Sequence, residues 1–308
     1  MGAPSGTAAA KAGRSPRAIA LVGPYLAGKT TLLEAILAHC GAIPRAGSVT
    51  EGSSIGDSSP EARDTVQSVE VSFAECEFMG ETFTFIDLPG SIEFQADAAA
   101  VLPAVDAAVV VCEPDPKRVA ALQVTLKALA DRGIPYMIFL NKMDATSVHV
   151  RDILPMLQPA SIRPLVLRQI PIWSGETVTG FVDLASERAY VYRDGAPSEI
   201  VEMPADLAER EAEARFAMLE QLADHDDALM EQLLSEATPD KSIIFKDLTE
   251  ELRAGLICPV FLGSAARRHG IMRLLKALRH EAPMVTDTAR RLGLVAAPSA
   301  VCLFKTGH

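Results

Sequence analysis

The stretch GPYLAGKT, residues 23–30, has the GxxxxGK(S/T) form of a phosphate-binding loop. The apolar run AIALV at residues 18–22 leads into it, and residues 29–39 follow with apolar side chains at helical spacing. A helix that begins at such a loop points free backbone amides and the positive end of its dipole at an anion. The stretch therefore predicts a strand, a phosphate loop and a helix in a parallel α/β sheet.

The side chains of this loop suit a nucleoside triphosphate and a magnesium ion. Lys29 can reach the β- and γ-phosphates, and Thr30 offers its hydroxyl to Mg²⁺. Lys29 is therefore a catalytic candidate as well as a binding residue. The candidates for binding the nucleotide in this stretch are Gly23, Ala27, Gly28, Lys29, Thr30 and Thr31.

A second motif, DLPG at residues 87–90, follows the apolar run at residues 83–86. It has the DxxG form, in which the Asp reaches Mg²⁺ through water and the Gly amide senses the γ-phosphate. Asp87 is thus a candidate for nucleotide and metal binding, and Gly90 is a catalytic candidate. The motif is short, and it gains meaning from its place downstream of the phosphate loop.

A third motif, NKMD at residues 141–144, favours guanine over adenine. It follows the apolar run YMIFL at residues 136–140, so it lies at the carboxyl end of a strand, where ligands bind in doubly wound sheets. Asp144 can accept two hydrogen bonds from N1 and N2 of guanine, and Asn141 addresses the Hoogsteen edge. Adenine would leave the carboxylate unpaired, which disfavours a P-loop kinase or ATPase. The guanine-binding candidates are Asn141, Lys142, Asp144 and the small-residue loop Gly263, Ser264 and Ala265.

Composition and charge narrow the class of protein further. The chain has 308 residues and five cysteines without a C-x-x-C pair, which favours a reduced, cytoplasmic compartment. No apolar run approaches the roughly 20 residues that span a bilayer, so we expect no membrane partner. The net charge of −11 disfavours sequence-specific DNA as a partner.

Most of the negative charge lies in one block of the sequence. Residues 199–252 contain 16 acidic and 4 basic residues, and the apolar residues at 208–236 have helical spacing. An acidic amphipathic helix is usually a solvated face. The functional alternative is a docking surface for a basic or mixed-charge partner.

Strand and helix patterns alternate from residue 17 to about residue 150 and predict a doubly wound α/β domain. Short strand-like runs and acidic helices fill residues 160 to 256, and a strand and a helix resume near residues 260 and 270. We therefore expect an inserted α+β subdomain. The predicted strands of the first part lie near 18–22, 69–78, 83–86, 107–112 and 135–140, and the helices near 29–39, 92–104 and 117–132.

The order of the motifs and the insertion resemble elongation factor G and its relatives among the translational GTPases, over residues 17–308. The final stretch, SAVCLFKTGH (299–308), resembles the first strand of the β-barrel domain that follows in that family. GSSIGDSSPEA (52–62) is similar to a divergent, elongation factor G-like branch. Other stretches that carry the resemblance are IPIWSGETVTGFVDL (170–184), EMPADL (202–207), ADHDDALMEQLL (223–234) and PVFLGSAARRHGI (259–271).

The resemblance, added to these patterns, implies a division of the chain into parts. The GTPase domain is expected at 17–158, with its last strand and helix at 258–285. The inserted subdomain is expected at 159–257. A disordered tail at 1–16 precedes them, and a linker with the first strand of a truncated β-barrel follows at 286–308.

The resemblance also implies binding of GTP and GDP with Mg²⁺, and hydrolysis of GTP in a step linked to the ribosome. It implies that the acidic inserted subdomain meets the ribosomal stalk protein. The chain departs from the family around hydrolysis. Ser91 stands where the family has a His that helps orient the attacking water, and Leu26 replaces an Asp of the phosphate loop.

The first switch departs as well. Ser68 keeps the hydroxyl with which a family Thr binds Mg²⁺, but the Arg and Gly that precede it are gone. The metal candidates are Thr30, Ser68 and Asp87, and Ser91 joins Lys29 and Gly90 as a catalytic candidate. We expect slow hydrolysis, since water positioning contributes more to turnover than to binding. The alternative is a GTP-loaded binding switch with little or no hydrolysis.

Overall fold

The computed structural model describes residues 16–48, 53–54, 71–90, 100–146, 148–194 and 196–295. Its strands are β1 (Arg17–Val22), β2 (Ser72–Phe78), β3 (Glu81–Asp87), β4 (Ala107–Cys112), β5 (Tyr136–Leu140), β6 (Leu165–Leu167), β7 (Gln169–Ser174), β8 (Thr177–Asp183), β9 (Arg188–Arg193), β10 (Ala196–Val201) and β11 (Cys258–Leu262). Its helices are α1 (Lys29–His39), α2 (Val119–Ala130), α3 (Val150–Leu157), α4 (Ala208–Ala223), α5 (Asp227–Leu234), α6 (Lys241–Ala254), α7 (Ile271–Glu281) and α8 (Val285–Arg291).

The described residues form a seven-stranded sheet with the order β2-β3-β1-β4-β5-β11-β6. Its neighbouring strands are parallel except β2 and β3. Every residue of β4 is buried, as expected for a strand covered on both faces. In β1, Ile19 and Leu21 face one hydrophobic cluster, whereas Ala20 and Val22 face the other. The predicted doubly wound α/β fold is confirmed.

A second, antiparallel sheet with the order β10-β9-β8-β7 is formed between β6 and β11 in the chain. Helices α4, α5 and α6 pack with it around a third hydrophobic cluster, which includes Val182 of β8, Leu222 of α4 and Leu248 of α6. The predicted inserted α+β subdomain is thus also confirmed as part of the fold class. We call β7–β10 with α4–α6 the inserted unit.

Buried ion pairs join the inserted unit to α7. Arg168, directly before β7, is fully buried and donates two hydrogen bonds to Glu281, with Nη1–Oε2 2.7 Å and Nη2–Oε1 3.1 Å. Arg273 of α7 pairs with Asp183 of β8. Burial by itself raises the pKa of Asp183, but Arg273 and Arg168 outweigh burial and hold that pKa below its usual value. The charged form of Asp183 is therefore favoured at this junction.

Several elements differ from the sequence-based expectations. Strand β6 pairs with β11 in the larger sheet, although the sequence pattern places its residues in the insertion at 159–257. A run of three residues is too short to identify as a strand from its periodicity. Strand β10 was not predicted because it is mostly exposed and lacks an alternating pattern. Helix α8 occupies part of the expected linker at 286–308, and α3 was also unforeseen.

Some predictions fall on residues that the structure does not describe. These are most of the tail at 1–16, residues 69–70 of the predicted second strand, residues 92–99 of the helix predicted at 92–104, and the strand at 299–308. Residues Leu102–Ala104 of that helix form a short 3₁₀ turn. None of the described helices combines the length and the apolar character needed to cross a bilayer.

Candidate nucleotide-binding site

The phosphate loop joins β1 to α1 and depends on two glycines. Gly23 has φ 141° and Gly28 has φ 94°, both in the region that favours glycine. A Cβ at Gly23 would overlap the backbone carbonyl of Val111 in β4, and a Cβ at Gly28 would overlap the side-chain amide of Asn141. The loop is therefore held close to the ends of β4 and β5, with no room for larger residues at these positions.

Two motifs meet where the phosphates are expected. The hydroxyl of Thr30 donates to Oδ2 of Asp87 at 2.6 Å, and Nζ of Lys29 donates to the carbonyl of Pro24 at 3.2 Å. A Cβ at Gly90 would overlap Nζ of Lys29, so the DxxG motif lies against the phosphate loop. These side chains meet because β1 and β3 are parallel neighbours that end at the same edge of the sheet.

The hydroxyl of Thr30 and the carboxylate of Asp87 fit a magnesium ion. Mg²⁺ prefers oxygen ligands and commonly takes one or two from the protein, while water and phosphate supply the others. Both residues are buried. In the part of the chain that the structure describes, no group of three or more His, Cys, Asp or Glu residues could hold a metal ion. Thr30 and Asp87 thus supply only two of the oxygen ligands that Mg²⁺ takes, and oxygens of a bound phosphate and of water would supply the others.

Asn141 links the phosphate loop to the predicted guanine loop. It is buried, its Nδ2 donates to the carbonyl of Ala27 at 2.8 Å, and its Oδ1 accepts from the amide of Ala265 at 2.8 Å. The sequence pattern assigns this side chain to the Hoogsteen edge of the base. In the structure its amide atoms hold two loops together, so Asn141 sets the geometry of the site as well as lying in it.

Lys142 and Asp144 of the NKMD loop contact different neighbours. Nζ of Lys142 donates to the carbonyl of Leu26 at 3.0 Å and pairs with Oε2 of Glu113 at 2.9 Å. The carboxylate of Asp144 is partly exposed, and its Oδ2 lies 3.8 Å from Nε of Arg267. Asp144 is therefore an accessible acceptor beside a cation.

The Gly-Ser-Ala loop packs directly against the NKMD loop. The amide of Met143 donates to the carbonyl of Gly263 at 3.1 Å, and a Cβ at Gly263 would overlap the ring of Phe139. Ser264 and His269 form an isolated bridge with N–O distances of 3.2 and 2.9 Å. The loop from 263 to 269 is thus a closed turn whose position depends on β5.

The inserted unit supports this turn. The ring of His269 stacks on Tyr192 of β9, with centroids 4.1 Å apart and planes at 4°. Burial lowers the pKa of His269, although Asp194 and Asp144 act in the opposite sense. His269 is therefore favoured as a neutral ring at neutral pH, which suits stacking in a buried contact.

A cavity of about 540 Å³ lies between the start of α1 and the Gly-Ser-Ala loop. Thr31 and Ala265, both predicted to bind nucleotide, line it together. Arg45 and Gly47, which precede the first switch, line it as well. The cavity is of a size that holds a small-molecule ligand.

Sequence reasoning missed two charged residues at this edge. Glu113, directly after β4, accepts from Lys142, and its Oε1 lies 2.7 Å from Nε of Arg118. Arg118 in turn donates to the carbonyl of Tyr25. A signal was present, because Glu113 follows the carboxyl end of a buried parallel strand, where functional residues of such sheets gather.

Leu26 of the phosphate loop has φ 61° and a half-exposed side chain, and it is the non-glycine residue of that loop in the left-handed region.

Two predicted residues lie outside the described part of the chain. They are Ser91, the candidate for orienting water, and Ser68, the candidate metal ligand of the first switch. Their roles remain predictions.

Comparison with known proteins now identifies the family. The sequence profile of the Elongation factor Tu GTP binding domain matches residues 14–284. This chain belongs to the translational GTPases. An elongation factor G-like protein from Synechocystis sp. is 44% identical over 280 residues, which cover 91% of this chain and 42% of that protein. Elongation factor G from Gluconobacter oxydans is 32% identical over 259 residues, 82% of this chain and 36% of that protein.

The three-dimensional comparison agrees. A crystal structure of a protein from Thermus thermophilus matches with a TM-score of 0.80 and 29% identity, over 89% of this chain and 41% of that chain. The predicted membership of the elongation factor G-like translational GTPases is confirmed. The chain spans about two fifths of the length of these relatives.

Proposed function

We propose that this translational GTPase chain binds GTP and GDP with Mg²⁺ and hydrolyses GTP slowly in a step linked to the ribosome. The observation that carries the proposal is the hydrogen-bonded bridge through Asn141. It joins the phosphate loop at Ala27 to the guanine loop at Ala265, so one side chain sets the span between the phosphate and base ends.

The phosphate end would bind through the backbone of the loop and the start of α1. Lys29 would exchange its bond to the Pro24 carbonyl for phosphate oxygens, and the Gly90 amide would face the γ-phosphate. Thr30 and Asp87, with Ser68, would hold Mg²⁺, whose charge neutralises phosphate oxygens when it is bound. The domain boundaries 17–158, 159–257 and 258–285 remain part of this proposal, with β6 assigned to the larger sheet.

The guanine end can be tested by changing one carboxylate. In Asp144→Asn, an amide donor would face the N1 and N2 donors of guanine, and we expect GDP affinity to fall about 100-fold, roughly 3 kcal/mol. Xanthosine diphosphate, which carries an acceptor in place of the N2 amine, should bind the variant better than GDP does. Fluorescence titration measures both affinities.

The matched control is Asp152→Asn, an exposed change in the first turn of α3 that should leave GDP affinity unchanged. A direct competition adds a second test. If ATP displaced bound GDP as well as GTP does, the guanine assignment would be wrong.

The hydrolysis rate separates the enzyme from its alternative, a GTP-loaded switch that hydrolyses little. The motive for slow turnover is Ser91 in place of the family His, together with Leu26 in the phosphate loop. Ser91→His should raise ribosome-stimulated turnover about tenfold or more, because a positioned imidazole orients water and moves protons better than a hydroxyl. Turnover in the unaltered chain that already matches a housekeeping elongation factor would contradict slow hydrolysis. Turnover that stays undetectable with ribosomes present would favour the switch.

The partner proposal concerns the acidic helices of the inserted unit and the ribosomal stalk protein. Glu220, Asp224 and Asp227 are exposed there. Asp226 is different, because its carboxylate caps α5 by accepting from the amides of Ala228 and Leu229 at 2.8 and 3.0 Å.

A clean test therefore reverses Glu220, Asp224 and Asp227 to Lys and leaves Asp226 in place. Weaker stalk binding at low salt is expected, with the helical fold retained by far-UV circular dichroism. Unchanged stalk affinity would mean that these acidic helices are only a solvent-exposed face and do not bind the stalk protein. With this role the protein would act in the cytoplasm.

A further inference from the structure

A second cavity, of about 510 Å³, lies between the inserted unit and helices α1 and α7. Its walls come from the end of α1, the first turn of α7 and the strands β8 to β10. None of the predicted nucleotide-binding residues lines it. The cavity is therefore distinct from the predicted nucleotide site, although Arg268 borders both cavities, and its volume is in the range of small-molecule sites.

The cavity carries concentrated positive charge in an acidic protein. Arg188, Arg268 and Lys276 line it, and all three side chains belong to exposed residues. Within the described residues none of the three forms an ion pair, whereas the neighbouring Arg273 pairs with Asp183. The described lining residues include no Asp or Glu. Since the whole chain has a net charge of −11, such a grouping of cations without carboxylates favours an anionic ligand.

One wall of the cavity is apolar and aromatic. The rings of Phe181 and Tyr190 stack with centroids 4.9 Å apart, and Ile200 of β10 lines the same cavity with 59% of its surface exposed. Met272 lies on the α7 side. This wall suits a flat or apolar body attached to the anion, because burial of such surface is favourable and aromatic rings stack.

The first turn of α7 adds a polar end to the same space. Gly270, at φ 80°, precedes the helix, and a Cβ there would overlap the carbonyl of Leu262. The glycine thus lets an eleven-residue helix begin next to β11, with its N-terminal turn at the cavity. Backbone amides in the first turn of a helix have no partner within the helix and favour anions.

We propose that this cavity binds a small phosphorylated molecule with a flat or apolar body, at a site distinct from the GTP pocket. The phosphate would lie among Arg188, Lys276 and the first turn of α7. The apolar body would lie against Tyr190, which Phe181 supports from behind, and Ile200. Because Arg268 lines both this cavity and the nucleotide-side cavity, the ligand would lie next to the guanine loop.

The test uses the 308-residue chain saturated with GDP, so that the nucleotide pocket is already filled. Adenosine monophosphate and inorganic phosphate are titrated separately by calorimetry. We expect adenosine monophosphate to bind at about 1 mM or tighter, and inorganic phosphate more weakly because it lacks the body that the apolar wall contacts. Bound GDP, followed by its fluorescent analogue, should not be released.

The variant Arg188→Glu with Lys276→Glu should weaken adenosine monophosphate about tenfold or more, because two charge-assisted contacts become repulsive. Both residues are exposed, so folding should be unaffected. The matched control, Arg210→Glu, changes an exposed cation of α4 outside the cavity and should bind as the unaltered chain does.

Four results would overturn the proposal. They are no binding at millimolar adenosine monophosphate, equal binding by the double variant, an equal loss in the Arg210→Glu control, and binding accompanied by release of GDP. Equal affinities for adenosine monophosphate and inorganic phosphate would refute the role of the apolar wall. The test rests on the proposed GDP binding but not on GTP hydrolysis. The GDP titration itself shows whether the nucleotide pocket is filled, so a failure of the proposed function is distinguished from a failure to bind adenosine monophosphate.

Discussion

The larger sheet and helix α6 of the inserted unit treat buried charge in opposite ways. In the larger sheet, Arg17 is buried and pairs with Glu81, and the buried Arg168 at the junction pairs with Glu281. In the inserted unit, Glu251 of α6 is buried, and neither of its carboxylate oxygens has a hydrogen-bond partner among the described residues. Burial raises the pKa of Glu251 to about 8, with further contributions from Asp247, Asp226 and Asp224.

Paired and unpaired buried charges have different effects on how firmly a region is held. Paired buried charges hold one geometry, because breaking a pair leaves an uncompensated charge. A carboxylate buried among other carboxylates is held less firmly and responds to protons or to nearby cations. The larger sheet and its junction to the inserted unit thus rest on fixed ion pairs, whereas α6 holds a buried carboxylate among other carboxylates.

The largest expected effect concerns the junction of the two regions. Arg168→Met would leave Glu281 buried without its main partner and should lower the free energy of unfolding by about 3–5 kcal/mol. Urea denaturation measures this value. The double variant Arg168→Met with Glu281→Leu should recover most of the loss, since apolar residues can replace a buried ion pair. An exposed control, Arg210→Met, should be near neutral. A small loss in the single variant would show that the pair does not hold the two regions together.

The next effect concerns the phosphate loop. Gly23→Ala forces a Cβ against the backbone carbonyl of Val111 and strains φ, so we expect a loss of about 3 kcal/mol in stability and weaker GDP binding. Gly175→Ala is the matched control. It also has positive φ, but a Cβ there would meet no atom within 4 Å, so it should cost only about 1 kcal/mol. Equal losses in both variants would mean that φ strain alone is responsible.

A smaller effect is expected at the bridge between the two nucleotide loops. Asn141→Ala removes the partners of the Ala27 carbonyl and the Ala265 amide and should weaken GDP by about 2 kcal/mol, roughly 30-fold. Asn141→Asp keeps an acceptor for Ala265 and should show which of the two contacts matters more. Calorimetry with GDP provides the measurement. Unchanged GDP affinity in Asn141→Ala would mean that the Asn141 bridge does not support nucleotide binding, and the proposed function would lose its main support.

The smallest effect is a pH dependence in the inserted unit. The folded-state pKa of Glu251 lies above its unfolded value, so the folded state binds a proton more tightly, and this contribution to stability is lost as pH rises to about 8. Glu251→Gln should abolish that loss and be about 1–2 kcal/mol more stable than the unaltered chain above pH 8. Glu250→Gln, an exposed change on the same helix, is the control. Identical pH profiles for the unaltered chain and Glu251→Gln would contradict the raised pKa.

Local patterns predicted much of the fold and of the site. Apolar runs at 18–22, 107–112 and 136–140 correspond to β1, β4 and β5, because strands buried on both faces are apolar along their whole length. The motifs were visible because phosphate and guanine recognition need particular residues at fixed spacing within one loop. Strand β10 and the short β6 escaped prediction, since neither has a period that a sequence pattern can show.

The sequence by itself determined the family, the doubly wound sheet and the three motif loops, because each depends on residues that are neighbours in the chain. Only the tertiary structure decided how those loops are joined and where charge is paired. Arg168 and Glu281 are 113 positions apart, and Asn141 bridges residues 114 and 124 positions away. The basic cavity likewise draws its walls from α1, β8–β10 and α7. Such contacts follow from packing of distant segments, which no local period records.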